Sequence, residues 1–361
     1  MDKLVLVAGF ASVDESQHSG GVITATRLLM SSSFSKEFDV IQIDTTASIS
    51  ETFSLKIRKS LSRFSKLFCS LRDRKVKYVF CWAAGGFSLY EKLLMLSVAR
   101  FFGKKTYLIY VDSIWMEKIR KRAFWRWLHG FLYRIPNRLI CRSKRWVELY
   151  EDLSISSSRT CIVPNWLHVP TLTNAAFDFK NSKLSFVFVG WLIRDKGVFE
   201  LLDAAAKVFE MGVEIDLTYV GGGPELESLM DLAKAKNIQE VVHFTDWVAP
   251  GDVAAYLDAA DVFVLPSYGE GFPYSMLEAM SKGLPVIISD VGGIRGMFKD
   301  GEQVMLVEPK DVEGLASKLL YSIDNPVELQ RIAKNGYEYV YDTHSTENSV
   351  GKLIKCIRSL P

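Results

Sequence analysis

Short runs rich in β-branched and aromatic residues alternate along the whole chain with segments long enough for a helix, the pattern of βα units that build parallel sheets. In the first half the runs are Leu4–Ala8, Asp39–Ile43, Val76–Cys81, Thr106–Val111, Arg138–Cys141 and Thr160–Val163. The second half repeats the alternation with Ser185–Val189, Glu214–Val220, Val241–Phe244, Val262–Leu265, Pro285–Ile288 and Val304–Val307. The expected fold is therefore α/β, with two doubly wound domains facing across a cleft. A chain of 361 residues suits two domains at roughly 100–200 residues each. We expect them over 1–165 and 183–344. The stretch Asn165–Lys183 follows Pro164, contains Pro170 and shows no sustained period, so it has the character of a linker.

Composition narrows the class further. Apolar residues make up 48% and charged residues 24%, which excludes a disordered chain. Five cysteines without a C-x-x-C suit neither a disulfide framework nor a zinc site and point to a reducing compartment. No apolar run reaches about 18 residues and the N-terminus lacks a signal-peptide pattern, so a cytoplasmic protein is expected. The net charge of +2 conceals a division: residues 1–180 hold 28 Lys+Arg against 15 Asp+Glu, and residues 181–361 hold 16 against 27. Such asymmetry suggests that the first half faces an anionic partner. Its basic residues concentrate in Lys56–Lys77 and in Trp115–Trp146, and the second stretch interleaves them with Trp115, Phe124, Trp125, Trp127, Phe131, Tyr133 and Trp146. Aromatics with cations suit a peripheral site on an anionic membrane surface; packing of those aromatics in a core is the alternative.

The most informative segment is LPSYGEGFPYSMLEAMSKGLPVIISDVGG, residues 265–293, which has the order strand, loop, helix, strand, loop. Glu270 falls in the first loop, Pro273 near the helix start and Glu278 inside the helix. A helix N-terminus offers unpaired N–H groups and about half a positive charge, so Tyr274 and Ser275 are placed to bind a phosphate. Two carboxylates beside an anion site make sense where hydroxyls must be held, as on sugars and riboses. The plainer alternative makes Glu270 a solvated loop residue and Glu278 an i,i+4 partner of Lys282.

This segment resembles the E-x(7)-E motif of retaining nucleotide-sugar glycosyltransferases of the GT-B fold, family 4, also called glycosyl transferases group 1. The resemblance runs over about 160–320 and includes, in order, VPNWLH, FVGWLIRDKGV, YVGGGPELESL, HFTDWV and AADVFVLPS. It implies two Rossmann-like domains, with a C-terminal helix over 345–361 returning to the first. It further implies that Glu270, with the backbone of Gly271 and Phe272, holds the donor sugar, that Glu278 holds ribose hydroxyls, and that Gly292 and Gly293 bring main chain close to the donor. Lys196 matches the family lysine; Trp191 stands where arginine is usual, and Arg194 is the candidate replacement. Two cations there suit the leaving diphosphate, where negative charge grows as the bond to the sugar breaks. Gly20 and Gly21 resemble the family's glycine loop near the donor phosphates, and Trp247 falls where the nucleobase pocket is expected, although core burial explains a lone tryptophan equally well. Asp112, at the end of a first-domain strand, is an acceptor-contact candidate, with a helix N-cap as the plainer reading.

The expected activity is transfer of a sugar from a nucleotide-diphosphate sugar to an acceptor hydroxyl with retention, in bacterial surface polysaccharide or lipid-linked glycan synthesis. Neither a D-x-D pair nor a His/Cys cluster with ligand spacing occurs, so no metal and no cofactor is expected, the nucleotide-sugar being a substrate. The partners expected are that donor, a glycan or lipid-linked acceptor and an anionic membrane surface. A sugar-nucleotide epimerase sharing the donor pocket is one rival reading, and it would convert donor without any acceptor. A non-catalytic nucleic-acid-binding protein is the other; the absence of a recognised binding module and the acidic second half argue against it.

Overall fold

The computed structural model describes residues 1–10, 21–46, 53–83, 86–177, 179, 184–249 and 251–360. The chain divides into two compact units, Met1–Leu167 with Ser345–Pro361, and His168–His344.

Unit 1 contains strands β1 (Asp2–Ala8), β2 (Phe38–Asp44), β3 (Val76–Ala83), β4 (Lys105–Tyr110), β5 (Arg138–Cys141) and β6 (Thr160–Ile162). Its helices are α1 (Gly21–Ser31), α2 (Phe34–Glu37), α3 (Phe53–Leu71), α4 (Phe87–Phe101), α5 (Ser113–Arg120), α6 (Ala123–Leu132) and α7 (Lys144–Glu151). The sheet order is β2-β1-β3-β4-β5-β6, and every pairing is parallel. Strands covered on both faces need continuous apolar runs, and Leu4 to Ala8 and Val79 to Ala83 are buried without a break. Connections between parallel strands are right-handed, so the path from β2 through β6 sets α3, α4, α5, α6 and α7 on one face, while the reversed step from β1 to β2 sets α1 on the other.

Unit 2 contains β7 (Leu184–Val189), β8 (Ile215–Val220), β9 (Val242–Phe244), β10 (Val262–Leu265), β11 (Val286–Ser289) and β12 (Met305–Val307). Around them lie α8 (Val198–Glu210), α9 (Leu226–Ala235), α10 (Val253–Ala259), α11 (Tyr274–Ser281), α12 (Val312–Asp324) and α13 (Pro326–His344). Here the order is β12-β11-β10-β7-β8-β9, again all parallel, so the first strand of the unit lies inside the sheet and the strand order reverses beside it.

The stretch with linker character is packed rather than free. Trp166 is fully buried in unit 1, where its indole N–H donates to the Ala25 carbonyl at 2.8 Å. Phe177 is buried in unit 2 against Tyr337, and the Tyr337 hydroxyl donates to the Pro170 carbonyl. The last helix, α14 (Thr346–Arg358), packs on α1 and α2. One buried bond fixes its end: Tyr107 Oη, on β4, donates to the Ile357 carbonyl at 2.6 Å. The last carbonyls of a helix have no partner within it, so this hydroxyl satisfies a group that burial would otherwise leave unpaired. Tyr107→Phe should therefore destabilise the protein by about 1–3 kcal/mol. Urea unfolding reads this as a lowered midpoint at unchanged slope, and an unaltered midpoint would mean that the bond contributes nothing to the docking of α14.

Candidate active site

In an open parallel sheet the ligand crevice opens at the carboxyl ends of the strands where the strand order reverses. In unit 2 that place lies between β7 and β10. The segments leaving these two strands carry Lys196 and Glu270, and their side chains meet there. Lys196 Nζ donates to Glu270 Oε1 at 2.6 Å, and Ser267 Oγ donates to the same oxygen at 2.7 Å. Glu270 is buried, with 8% of its surface exposed, so it is not a solvated loop residue. A buried pair is screened by salt far less than an exposed one.

Two tight main-chain approaches create this geometry. Gly197 has φ +69° and precedes α8; a Cβ there would stand 2.0 Å from the Pro266 carbonyl oxygen, just beyond β10. Only glycine lets the start of α8 lie so close to the end of β10 in a left-handed conformation. Behind the Glu270 loop, Gly293 N donates to the Glu270 carbonyl at 2.8 Å. A Cβ on Gly293 would stand 1.6 Å from the Gly271 oxygen, and one on Gly292 (φ +51°) 2.0 Å from the Glu270 oxygen. The paired glycines thus bring main chain against the Glu270–Gly271 backbone.

The helix that follows, α11, starts at Tyr274 with Pro273 as its N-cap residue, one position earlier than the first turn. Ser275 lies in its first turn. Phe272 is committed to packing: its ring stacks on His344 at 5.0 Å and on Phe298 at 6.3 Å, which leaves the main chain of Gly271 and Phe272 as their contribution to a ligand site. Glu278 stands one turn into α11 with no hydrogen bond to its carboxylate among the described residues. Lys282 does not pair with it as the i,i+4 spacing allowed, because the Lys282 ammonium bonds Asp258. Burial holds the Glu278 carboxyl above its ordinary value, with the Lys282 charge opposing the shift.

Along the same sheet edge, beyond β9, Trp247 is 39% exposed and so is not a core tryptophan. Its N–H donates to Asp246 Oδ1 at 2.7 Å, and Gly221 N donates to the Asp246 carbonyl at 3.1 Å, joining this loop to the one after β8. Trp191 is also exposed. Arg194, exposed beside it, lays its guanidinium over the Phe199 ring at 4.7 Å. The site residues of unit 2 therefore form one line along the strand ends: Trp247 after β9, Arg194 and Lys196 after β7, Glu270 after β10, Gly292 and Gly293 after β11.

In unit 1, Gly20 lies outside the described residues and Gly21 opens α1. Asp112 caps α5, accepting from Trp115 N at 2.8 Å, as the plainer reading had it. Two features escaped the sequence. Ser267, which bonds Glu270, sits only three residues before it, and that spacing was the available signal. Arg142 is buried between two indoles, its guanidinium carbon 4.7 Å from both the Trp82 and Trp166 rings; no local motif joins three residues so far apart.

Known proteins match this arrangement. Residues 173–339 fit the model of the family described as glycosyl transferases group 1, a little under half of the chain. That match runs over nearly the whole of unit 2, His168–His344. The whole chain has the GT-B fold: it superposes on sucrose-phosphate synthase from Thermosynechococcus elongatus with a TM-score of 0.78 at 19% identity, covering 100% of this chain and 99% of that one. TuaC of Bacillus subtilis strain 168, named for teichuronic acid biosynthesis, is 36% identical over 171 residues, 47% of this chain and 40% of that protein. The UDP-Gal:alpha-D-GlcNAc-diphosphoundecaprenol alpha-1,3-galactosyltransferase of Escherichia coli is 27% identical over 245 residues, 64% of this chain and 62% of that protein. The chain spans less than two thirds of the length of either relative.

The Glu278 shift yields a signed prediction. A carboxyl raised in the folded state favours folding while protonated, and it lowers stability as pH climbs from the ordinary glutamate value through the raised one. The penalty is absent in acid and complete only above the raised value. Glu278→Gln should therefore raise the melting temperature of the ligand-free protein at pH 7–8, with the gain shrinking to nothing below about pH 4. A gain that grew on acidification would contradict the burial of this charge.

Proposed function

We propose that the chain is a retaining glycosyltransferase that moves a sugar from a nucleotide-diphosphate sugar, held by unit 2, to an acceptor hydroxyl. The observation that carries this reading is the Lys196–Glu270 pair at the strand reversal of a group 1 glycosyltransferase domain. In the reaction the acceptor oxygen bonds to the anomeric carbon as the bond from that carbon to the β-phosphate oxygen breaks, and the acceptor's hydroxyl proton passes to the departing phosphate oxygen. Charge then grows on the diphosphate, where Lys196, Arg194 and the N-terminus of α11 are positioned to stabilise it. Glu270 receives the sugar hydroxyls once Lys196 turns to the phosphates, and Ser267 keeps its carboxylate oriented meanwhile. Glu278 gives its half-buried carboxylate ribose hydroxyls to bind, and Trp247 lines the base. With these cations in place the transfer needs no divalent metal.

The relatives' names supply the substrate class. One is named for a bacterial surface polymer and the other for a UDP-sugar donor and a diphosphoundecaprenol acceptor, so the acceptor we propose is a bacterial surface glycan or lipid-linked glycan. Both are transfer reactions, which favours transfer over epimerisation. The basic excess of the first half brings that acceptor's anionic membrane surface to unit 1 on the cytoplasmic side, with Asp112 as a further acceptor contact.

Lys196→Ala should lower turnover by about 10² to 10³, the cost of losing one preorganised charge-stabilising group. Glu278→Gln should weaken nucleotide binding more than turnover. The new linkage, read from its anomeric proton coupling by NMR, should keep the donor's configuration, and transfer should survive EDTA. Unaltered kinetics in both variants would remove these residues from the site; an inverted product would overturn retention, and activity lost to EDTA and restored by Mg²⁺ would overturn the metal-free route.

A further inference from the structure

The helices over one face of a sheet normally turn apolar residues inward and polar residues to water. Those of unit 1 depart from that rule. Inward, Leu67, Leu89, Leu93, Leu96 and Tyr133 build the core against the sheet. Outward, α4 exposes Phe87, Leu94 and Phe101 at seven-residue spacing, and Phe101 is 90% exposed. They form a stripe ~21 Å long at 1.5 Å per residue. On α6 the exposed large apolar residues are Phe124, Trp127 and Phe131, again one stripe, with Trp127 70% exposed. On α3, Leu61 and Phe68 are exposed as well, and Phe68 meets the end of α4 through Phe102 at 5.5 Å. Tyr90 of α4 bonds His129 of α6 at 3.2 Å. Contacts therefore join the three helices, and the handedness of the crossovers puts them on the same face.

The exposed charges of these three helices are of one sign. Neither α3 nor α6 contains an acidic residue, and the single acid of α4, Glu91, is buried against Lys92 and Arg63. Lys56, Arg58, Lys66, Arg100, Arg122 and Arg126 are exposed on or beside the three helices. Exposed apolar patches of this kind mark interaction sites. A second copy of the chain would bring like charges face to face, whereas an anionic bilayer offers negative headgroups to the cations and an apolar interior to the rings.

We infer that the outer face of α3, α4 and α6 is a membrane-insertion surface, which seats its aromatic side chains at the headgroup–acyl boundary of an anionic bilayer while the lysines and arginines hold the phosphates. This deepens the proposed membrane partner from electrostatic attraction to insertion, and it rests on that reading. No helix among the described residues is long and apolar enough to cross a membrane, so the contact is interfacial.

The test is sedimentation of the full chain with vesicles of phosphatidylglycerol and phosphatidylcholine, or of phosphatidylcholine alone, at 0.1 M and 1 M NaCl. Two combined variants are compared, Phe124→Ser/Trp127→Ser/Phe131→Ser and Lys56→Glu/Arg58→Glu/Lys66→Glu, both first checked for wild-type nucleotide binding. The wild type should prefer anionic vesicles and keep a bound fraction at 1 M salt, where the Debye length is only about 3 Å and attraction between charges is screened. The aromatic variant should lose that salt-resistant fraction and bind at least ~10-fold more weakly at low salt, since buried apolar area and anionic attraction both set the affinity. The charge variant should lose the preference for anionic over neutral lipid. Complete release of the wild type by salt, or wild-type binding by the aromatic variant, would overturn insertion. So would sedimentation velocity showing a wild-type dimer that the aromatic variant abolishes, which would assign the face to a second copy. The vesicles contain neither donor nor acceptor, so failure here leaves the transferase reading standing, and failure of transfer leaves this one standing.

Discussion

The site of unit 2 depends on one constraint: two loops that leave the sheet at its point of strand reversal must touch. Parallel strands alone do not achieve this, because neighbouring crossovers diverge to opposite faces there and leave a crevice. Gly197 closes the distance on one side by accepting a left-handed backbone 2.0 Å, in virtual Cβ terms, from the Pro266 oxygen. Gly293 closes it on the other by donating its N–H to the Glu270 carbonyl, and Gly292 lets the main chain lie against the same oxygen. Lys196 and Glu270 then face each other across a gap that a larger residue at any of these positions would reopen. Since misplacement by about 1 Å can cost 10²-fold in rate, such backbone contacts matter as much as the charged side chains they position.

Each unit carries an arrangement that works against its own stability. Glu278 is a half-buried carboxylate whose ionised form desolvation disfavours, and the fold retains it one turn into the helix that borders the crevice. Unit 1 does the same with apolar surface: α4 packs leucines inward and leaves phenylalanine and leucine in water on its other side. Neither arrangement helps an isolated chain fold. On the function proposed, each becomes favourable when a ligand arrives, a hydroxyl-bearing nucleotide in the first case and a lipid surface in the second.

The architecture was legible because parallel strands covered on both faces must be continuous apolar runs, and all the runs marked in the sequence coincide with strands to within two residues. Lys196, Glu270 and Glu278 were legible as residues of note, since each follows a strand end or lies in the helix beyond it. Their mutual contact was not. Lys196 and Glu270 are 74 residues apart, and only the strand order brings them together. The aromatic stretch of 115–146 was legible only in part, for a different reason. It runs through three helices and a strand, so no single period sorts it, and the structure divides it into buried Tyr133 and Trp146 and exposed Phe124, Trp127 and Phe131. Proline and polar residues gave 165–183 the look of a linker, although Trp166 and Phe177 anchor it to the two units.

The central claim is that the crevice between β7 and β10 holds a nucleotide-diphosphate sugar through Lys196 and Glu278. Thermal unfolding across a panel of nucleoside diphosphates and their sugars tests it most directly, because a ligand at 100 times its dissociation constant adds about 2.7 kcal/mol to stability. The account predicts that at least one nucleoside diphosphate and its sugar raise the melting temperature, that the corresponding monophosphate does so less, and that Lys196→Ala abolishes the difference between them. A panel in which no nucleotide stabilises the protein, or in which Lys196→Ala responds as the wild type does, would contradict it.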